Sequence, residues 1–155
     1  MIERTVAAQL ATAPRWVTIF SPIARRLLGA GVPLGFNGLM TITGRTSGLS
    51  RTTPVAIIDH EGRRWVWAPW GDVHWVRNLR VAGRATITVR RREEEVTSTE
   101  LDRAEREAFF RDVLGPVAGS LRGGRWFIRT VDGVDLADPV GASEGRPVFE
   151  LRPAA

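Results

Sequence analysis

Two short segments hold most of the residues able to do chemistry. The first is Thr43-Gly44-Arg45-Thr46-Ser47-Gly48-Leu49-Ser50-Arg51-Thr52-Thr53-Pro54. Its two glycines permit a tight turn whose backbone N–H groups point one way, a nest for an anion. Arg45 and Arg51 flank the turn, and each guanidinium can hold a phosphate or carboxylate through two parallel hydrogen bonds. Thr46, Ser47, Thr52 and Thr53 add hydroxyl donors. Pro54 removes a backbone donor near the start of a strand, which suits an edge or a pocket rim. The same residues would also make an ordinary hairpin with a polar turn.

The second segment is Ala68-Pro69-Trp70-Gly71-Asp72-Val73-His74-Trp75-Val76-Arg77-Asn78-Leu79-Arg80. Trp75, Asn78 and Leu79 fall on one face at helical spacing. Trp70 and Trp75 offer flat surfaces to a ring system, and backbone around Gly71 and the start of the helix can meet polar ring edges or an anion. A buried aromatic cluster is the alternative. Trp65 and Trp67 alternate on one strand face and are assigned to the core. His74, a lone histidine, reads as a structural or rim residue rather than a base.

Composition narrows the chemistry further. The 155 residues contain no Cys, which excludes disulfides, thiolate zinc sites, iron–sulfur clusters and cysteine nucleophiles. All 22 basic residues are Arg, so Schiff-base lysines and the lysine of a Walker phosphate loop are excluded as well. His60 and His74 are the two histidines; no metal site is expected, and no catalytic side chain is assigned. The net charge of +5 suits anionic partners such as phosphates, polyglutamate, nucleic acid or an acidic membrane.

The elements that must position these residues follow from pattern. Residues 2–30 read as helical, with Pro22 breaking or kinking the stretch. Strands are expected at 39–43, 52–58, 64–68, 84–90 and 93–99, with Glu61-Gly62 a hairpin turn. Asp72 is expected to cap a helix through Val81 that Gly83 closes. Asp102 and Glu105 make a capping box for a helix carrying Ala108, Phe109 and Val113. Residues 126–131 and 148–151 are candidate late strands, separated by a Gly- and Asp-rich loop at 132–147. The architecture expected is α+β: a mostly antiparallel split β-barrel with helices packed outside, one domain over 1–155 including the N-terminal helical segment. A Rossmann site is rejected, because no G-x-G-x-x-G follows a first strand.

With both segments in view, the chain resembles the deazaflavin-dependent nitroreductases. That family shows a turn T-G-R-x-S-G-x-x-R-x-x-P, a hairpin, and a W-x-x-N-L helix start, matched here by residues 43–54 and 75–79. The resemblance spans about residues 31–110, with weaker support at 147–151. It implies a split barrel, of the type that also binds flavin mononucleotide (FMN), holding coenzyme F420. Carried over by position, Arg45, Thr46, Ser47 and Arg51 would hold the phosphate and nearby tail. Thr52, Thr53, Pro54 and Val55 would line the ring. Ala68, Pro69, Trp70 and Gly71 would contact it from the second hairpin, and His74, Trp75, Val76, Arg77 and Asn78 would close the far side. Thr46 stands where family members often carry Lys, and the family's C-terminal tyrosines are missing.

The activity implied is a reductase that transfers a hydride from reduced F420 to an electron-poor acceptor: a quinone, an activated alkene or a nitro compound. Trp16, Phe20, Phe36, Trp70 and Trp126 are the expected substrate lining. The first rival is an FMN-binding protein or reductase on the same barrel. A basic nucleic-acid-binding module is disfavoured, because the arginines are spread along the chain and no known motif is present. Residues 14–30, with Trp16, Phe20, Arg25 and Arg26, would either cover the barrel or lie at a membrane surface. No secretory signal or run of about 18 apolar residues is evident, so the expected location is cytoplasmic, with membrane association open, as a monomer or dimer.

Overall fold

The computed structural model describes residues 37–154. The expected helical segment over residues 2–30, and with it Trp16, Phe20 and Phe36, lies outside the described residues. Six strands form where β-branched and apolar residues alternate: β1 Gly38–Thr43, β2 Ser50–His60, β3 Arg63–Trp67, β4 Arg84–Val89, β5 Arg92–Glu100 and β6 Val148–Pro153. They close a barrel in the order β1-β2-β3-β6-β5-β4, and every neighbouring pair is antiparallel. The expected antiparallel barrel is therefore present, and the expected strands match to within a few residues.

The period of two sends alternate side chains to two separate cores. Met40, Ile42, Val55, Ile57, Val66, Ala85, Ile87, Val96, Phe149 and Leu151 fill the barrel. Their sequence neighbours Ala56, Ile58, Trp65, Trp67 and Val148 point outward, into a second cluster built with the C-terminal helices. Trp65 and Trp67 are thus core residues, as their spacing suggests, but of the outer layer. The Trp67 ring meets Phe110 edge-on at 5.6 Å, and Trp65 tilts against Phe109 at 5.7 Å. Both contacts are of the geometry that aromatic quadrupoles favour.

The helix α1, His74–Ala82, stoppers one part of the barrel with Val76 and Leu79. Gly83 ends it in the left-handed conformation at φ 67°, donating its N–H to the Leu79 carbonyl at 2.8 Å. Asp72 does not cap this helix. The N-cap is Val73, with no side-chain cap, and the Asp72 carboxylate accepts instead from Arg77 Nε at 3.2 Å and Arg80 Nη1 at 2.6 Å. Two charge-assisted bonds outweigh one cap bond to a neutral N–H.

The outer layer is α2 Arg103–Ala108, a π-helical stretch Phe109–Leu114, α3 Gly115–Ser120, α4 Gly124–Phe127, a second π-helical turn Ile128–Asp132 and α5 Pro139–Ser143. The expected capping box is present: Glu105 N–H donates to Asp102 Oδ1 at 2.8 Å, and Asp102 N–H to Glu105 Oε1 at 3.0 Å. Residues 126–131 are helical, not the expected strand. Gly124, Ile128 and Asp132 are buried at a spacing of four, which is helical, and the closed barrel offers no edge for a seventh strand. The loop expected over 132–147 contains α5, started by Pro139 and capped by Asp138, whose carboxylate accepts from Gly141 N–H at 3.1 Å.

The seam beside β1 is closed by a side chain. The Asn37 amide donates to the Ile57 carbonyl at 2.6 Å and accepts from Ile57 N–H at 2.7 Å, extending the β1–β2 ladder by one rung. Gly38 follows it because a Cβ there would stand 2.6 Å from Ile57 Cδ1.

Candidate functional site

The turn between β1 and β2 is built as its glycines require. Gly44 N–H donates to the Leu49 carbonyl at 2.8 Å, and Gly48 N–H to the Gly44 carbonyl at 2.9 Å. Gly48 has φ 71°, and a Cβ on Gly44 would meet Ser47 Oγ at 2.8 Å and the Leu49 carbonyl at 3.2 Å. Ser47 Oγ accepts from Leu49 N–H at 3.2 Å, so this hydroxyl shapes the turn from within.

One residue joins this turn to α1. Asn78 is 6% exposed, and its Oδ1 accepts both Arg45 N–H at 3.2 Å and Arg45 Nη1 at 2.8 Å. The two segments, 33 residues apart at this contact, therefore meet through a buried amide. Its burial follows from helix phase: Val76, Asn78 and Leu79 are the buried residues of α1. Arg51 lies on the same turn, with its Nε 3.7 Å from where a Gly44 Cβ would stand. Arg45, Thr46, Ser47 and Arg51 are all exposed, and among the described residues neither arginine has a carboxylate partner. Two uncompensated guanidiniums on a glycine turn fit an anionic group.

Beside the turn, β2 presents a stretch that is paired on one side among the described residues. Residues 50–55 pair with β1, whereas β3 joins β2 only from Ala56 onward. Pro54 sits in this stretch, where a missing N–H is tolerated. Thr53 and Pro54 are half-buried; Thr52 is exposed, and its hydroxyl lies 2.8 Å from that of Thr41. The Val55 and Val76 side chains point into the barrel, so these two residues can meet a ligand only through their main chains.

The segment leading into α1 turns tightly. Gly71 has φ 87°, its N–H donates to the Ala68 carbonyl at 3.2 Å, and Val73 N–H donates to Gly71 at 2.9 Å. Ala68, Pro69 and Gly71 are buried and Trp70 is half-buried. The Trp75 ring stacks toward the barrel against Phe149, 6.2 Å between centroids, and His74 is exposed at the start of the helix. Arg77 is held by Asp72, which offsets its charge. Trp126 is 70% exposed on α4.

Sequence reasoning missed two polar residues behind this segment. Arg146 donates from Nε to the Pro69 carbonyl at 2.9 Å, and Asp132, 7% exposed, lies in its field. Burial lowers the Arg146 pKa, against the opposing attraction of Asp132. Neither residue sits in a recognisable motif; Gly145 and Pro147 around Arg146 mark only a turn.

A deazaflavin carries a flat ring, a phosphate and a carboxylate tail. The donor set fits such a group: a glycine turn with two guanidiniums that have no carboxylate partner among the described residues, next to the 50–55 stretch of β2 and a tryptophan-flanked helix start. Arg45, Thr46, Ser47 and Arg51 would hold the anionic part, and residues 52–55 and 68–71 the ring.

Comparison with known proteins agrees. The family described as F420H(2)-dependent quinone reductase matches residues 16–120. No curated protein sequence matches the chain. Among solved structures, Campylobacter jejuni ChuZ overlaps with TM-score 0.51 at 13% identity, covering 95% of this chain and 56% of that one, which supports the barrel fold. A structure described as an F420-H2 dependent reductase (FDR-A) overlaps less well, at TM-score 0.48 and 18% identity, covering 74% of this chain and 92% of that one. Because the family match covers most of the chain, the chain belongs to the F420H(2)-dependent quinone reductase family and is an F420-dependent reductase.

Proposed function

We propose that this reductase acts on a quinone-like acceptor and holds the coenzyme across the Arg45–Asn78 junction. The observation that carries the reading is that junction: one buried amide fixes the anion-holding turn against the helix that borders the ring position. When bound, reduced F420 supplies a hydride for the acceptor. The chain's own contribution is positional. Arg45, Thr46, Ser47 and Arg51 grip the phosphate and adjoining tail. Residues 52–55 present backbone groups along the 50–55 stretch of β2, and Ala68, Pro69, Trp70 and Gly71 bound the ring from the other side. His74, Trp75, Val76 and Arg77 border the site along α1. Asn78 acts mainly through Arg45, as a positioning residue. Of the acceptors compatible with a hydride donor, a quinone is favoured over a nitro compound or an activated alkene because the matching family is described by quinone reduction.

The direct test is binding of F420 followed by its fluorescence, in the wild type and in Arg51→Ala. Loss of a charge-assisted, bidentate grip lowers affinity by about ten- to a hundredfold, corresponding to roughly 1.5–3 kcal/mol. An Arg51→Ala protein that binds F420 as tightly as the wild type would remove the grip assignment. Parallel assays with a quinone, a nitroaromatic and an activated alkene rank the acceptors.

A further inference from the structure

Behind the ring-bounding segment lies a half-buried guanidinium with an unusual set of partners. Arg146 donates to three main-chain carbonyls: Pro69 from Nε at 2.9 Å, Ala142 from Nη1 at 3.1 Å, and Gly133 from Nη2 at a marginal 3.5 Å. Pro69 precedes Trp70 and Gly71, Gly133 follows the second π-helical turn, and Ala142 belongs to α5. No hydrogen bond joins Arg146 to Asp132, the acidic residue whose field it feels. A planar fork that reaches three separate backbone pieces is a fixture that Lys cannot reproduce, because an ammonium is a point donor on a flexible stem. One further bond runs beside it, from Ala68 N–H to the Pro147 carbonyl at 2.9 Å. Residues 68 and 69 are thus tied at two consecutive points to the turn that leads into β6.

Even partial burial of a guanidinium without a bonded carboxylate is unfavourable, and an apolar residue of similar volume is often tolerated or even stabilising. Its place here is therefore explained better by what it holds than by what it adds to stability. We propose that Arg146 is a positioning residue for the coenzyme: it fixes the Pro69 carbonyl, and with it Trp70 and Gly71, at the height and tilt needed for the ring. The inference rests on the reading that residues 68–71 contact the ring. When ionised, the Asp132 carboxylate opposes the lowering of the Arg146 pKa by burial.

The test uses the full-length protein, F420 and three variants. Arg146→Met with Asp132→Asn removes both members of the pair together, so neither is left without the other. Arg146→Lys keeps the charge and loses the fork. Gly71→Ala strains the ring-bounding segment directly, because Gly71 has φ 87°. The readouts are F420 affinity, the absorption band of the bound deazaflavin, and melting temperature. A merely structural arginine would move the melting temperature and leave the band in place. The expected result is a five- to twentyfold weaker affinity and a displaced band in the double variant and in Arg146→Lys. A wild-type affinity and band in either of these folded proteins overturns the proposal. If Gly71→Ala alone weakens binding, the ring assignment stands and only the role of Arg146 falls. If Gly71→Ala also binds as the wild type does, the ring assignment falls and takes the proposal with it.

Discussion

Asp132 shows how much a single buried group can set. Burial pushes its carboxyl from the ordinary 3.8 up to about 7, against the opposing attraction of the Arg146 guanidinium. Between those two values the folded chain holds a proton that the unfolded chain has released, so this group lowers stability progressively as pH rises through that window. Below about pH 4 it imposes no penalty; above about pH 7 the penalty is fully present. Its size is on the order of 4 kcal/mol, since each decade of proton affinity is about 1.4 kcal/mol. Asp132→Asn abolishes the titration. Its melting temperature is expected to gain on the wild type by several degrees between about pH 5 and about pH 8. Parallel melting curves over that range would show that Asp132 does not titrate there. The exposed arginines behave differently: Arg63 grips Glu150 in a two-pronged contact at 3.0 and 3.2 Å, which lowers the Glu150 pKa, but exposed pairs of this kind add little to stability.

At the scale of elements, the ends proved more predictable than the middles. Gly83 closes α1, and the Asp102–Glu105 capping box opens α2, each in the place where the local pattern required it. These are contacts between residues three or four apart, so the chain needs no distant partner to make them. Asp102→Ala deletes one of the two reciprocal bonds, and a loss of about 1 kcal/mol in urea unfolding is expected, with F420 affinity unchanged. A larger loss would mean that α2 also anchors the outer core through its first turn. The cap expected of Asp72 and the strand expected over 126–131 are both absent. Both were decided by partners outside their own window: Arg77 and Arg80 draw the Asp72 carboxylate away from the helix start, and the closed barrel denies residues 126–131 a strand neighbour.

At the scale of the whole molecule, the barrel wall separates two cores that share the same strands. This division assigns distinct roles to equally buried residues. Phe110 is 0% exposed, packs in the outer layer against Trp67 and Phe109, and does not enter the barrel. Phe110→Ala is expected to destabilise by about 3–5 kcal/mol. The loss should fall first on the outer helices, including α5 and the Arg146 contacts. Hydrogen exchange would then show early opening of residues 103–143, with the β1–β2 and β4–β5 ladders still protected. Uniform loss of protection in strands and helices would show one cooperative core instead. No helix among the described residues is long and apolar enough to cross a membrane.

The sequence by itself determined the six barrel strands, the two glycine-dependent turns, the Gly83 and Asp102–Glu105 helix ends and the residue types at the Gly44–Gly48 turn, because each depends on local sterics or on a repeat of two or about four residues. Its resemblance to a known family implied that the two segments belong to one site. Only the tertiary structure decided how they meet. Asn78 is the acceptor that holds Arg45, and residues 68–71 are tied from behind by Arg146, 77 residues away at the Pro69 bond. Long-range pairings leave no periodic trace in the chain, since they depend on barrel closure and on where each side chain is then left pointing. The turn and the helix start were therefore legible as parts, and their joining through one buried amide was not.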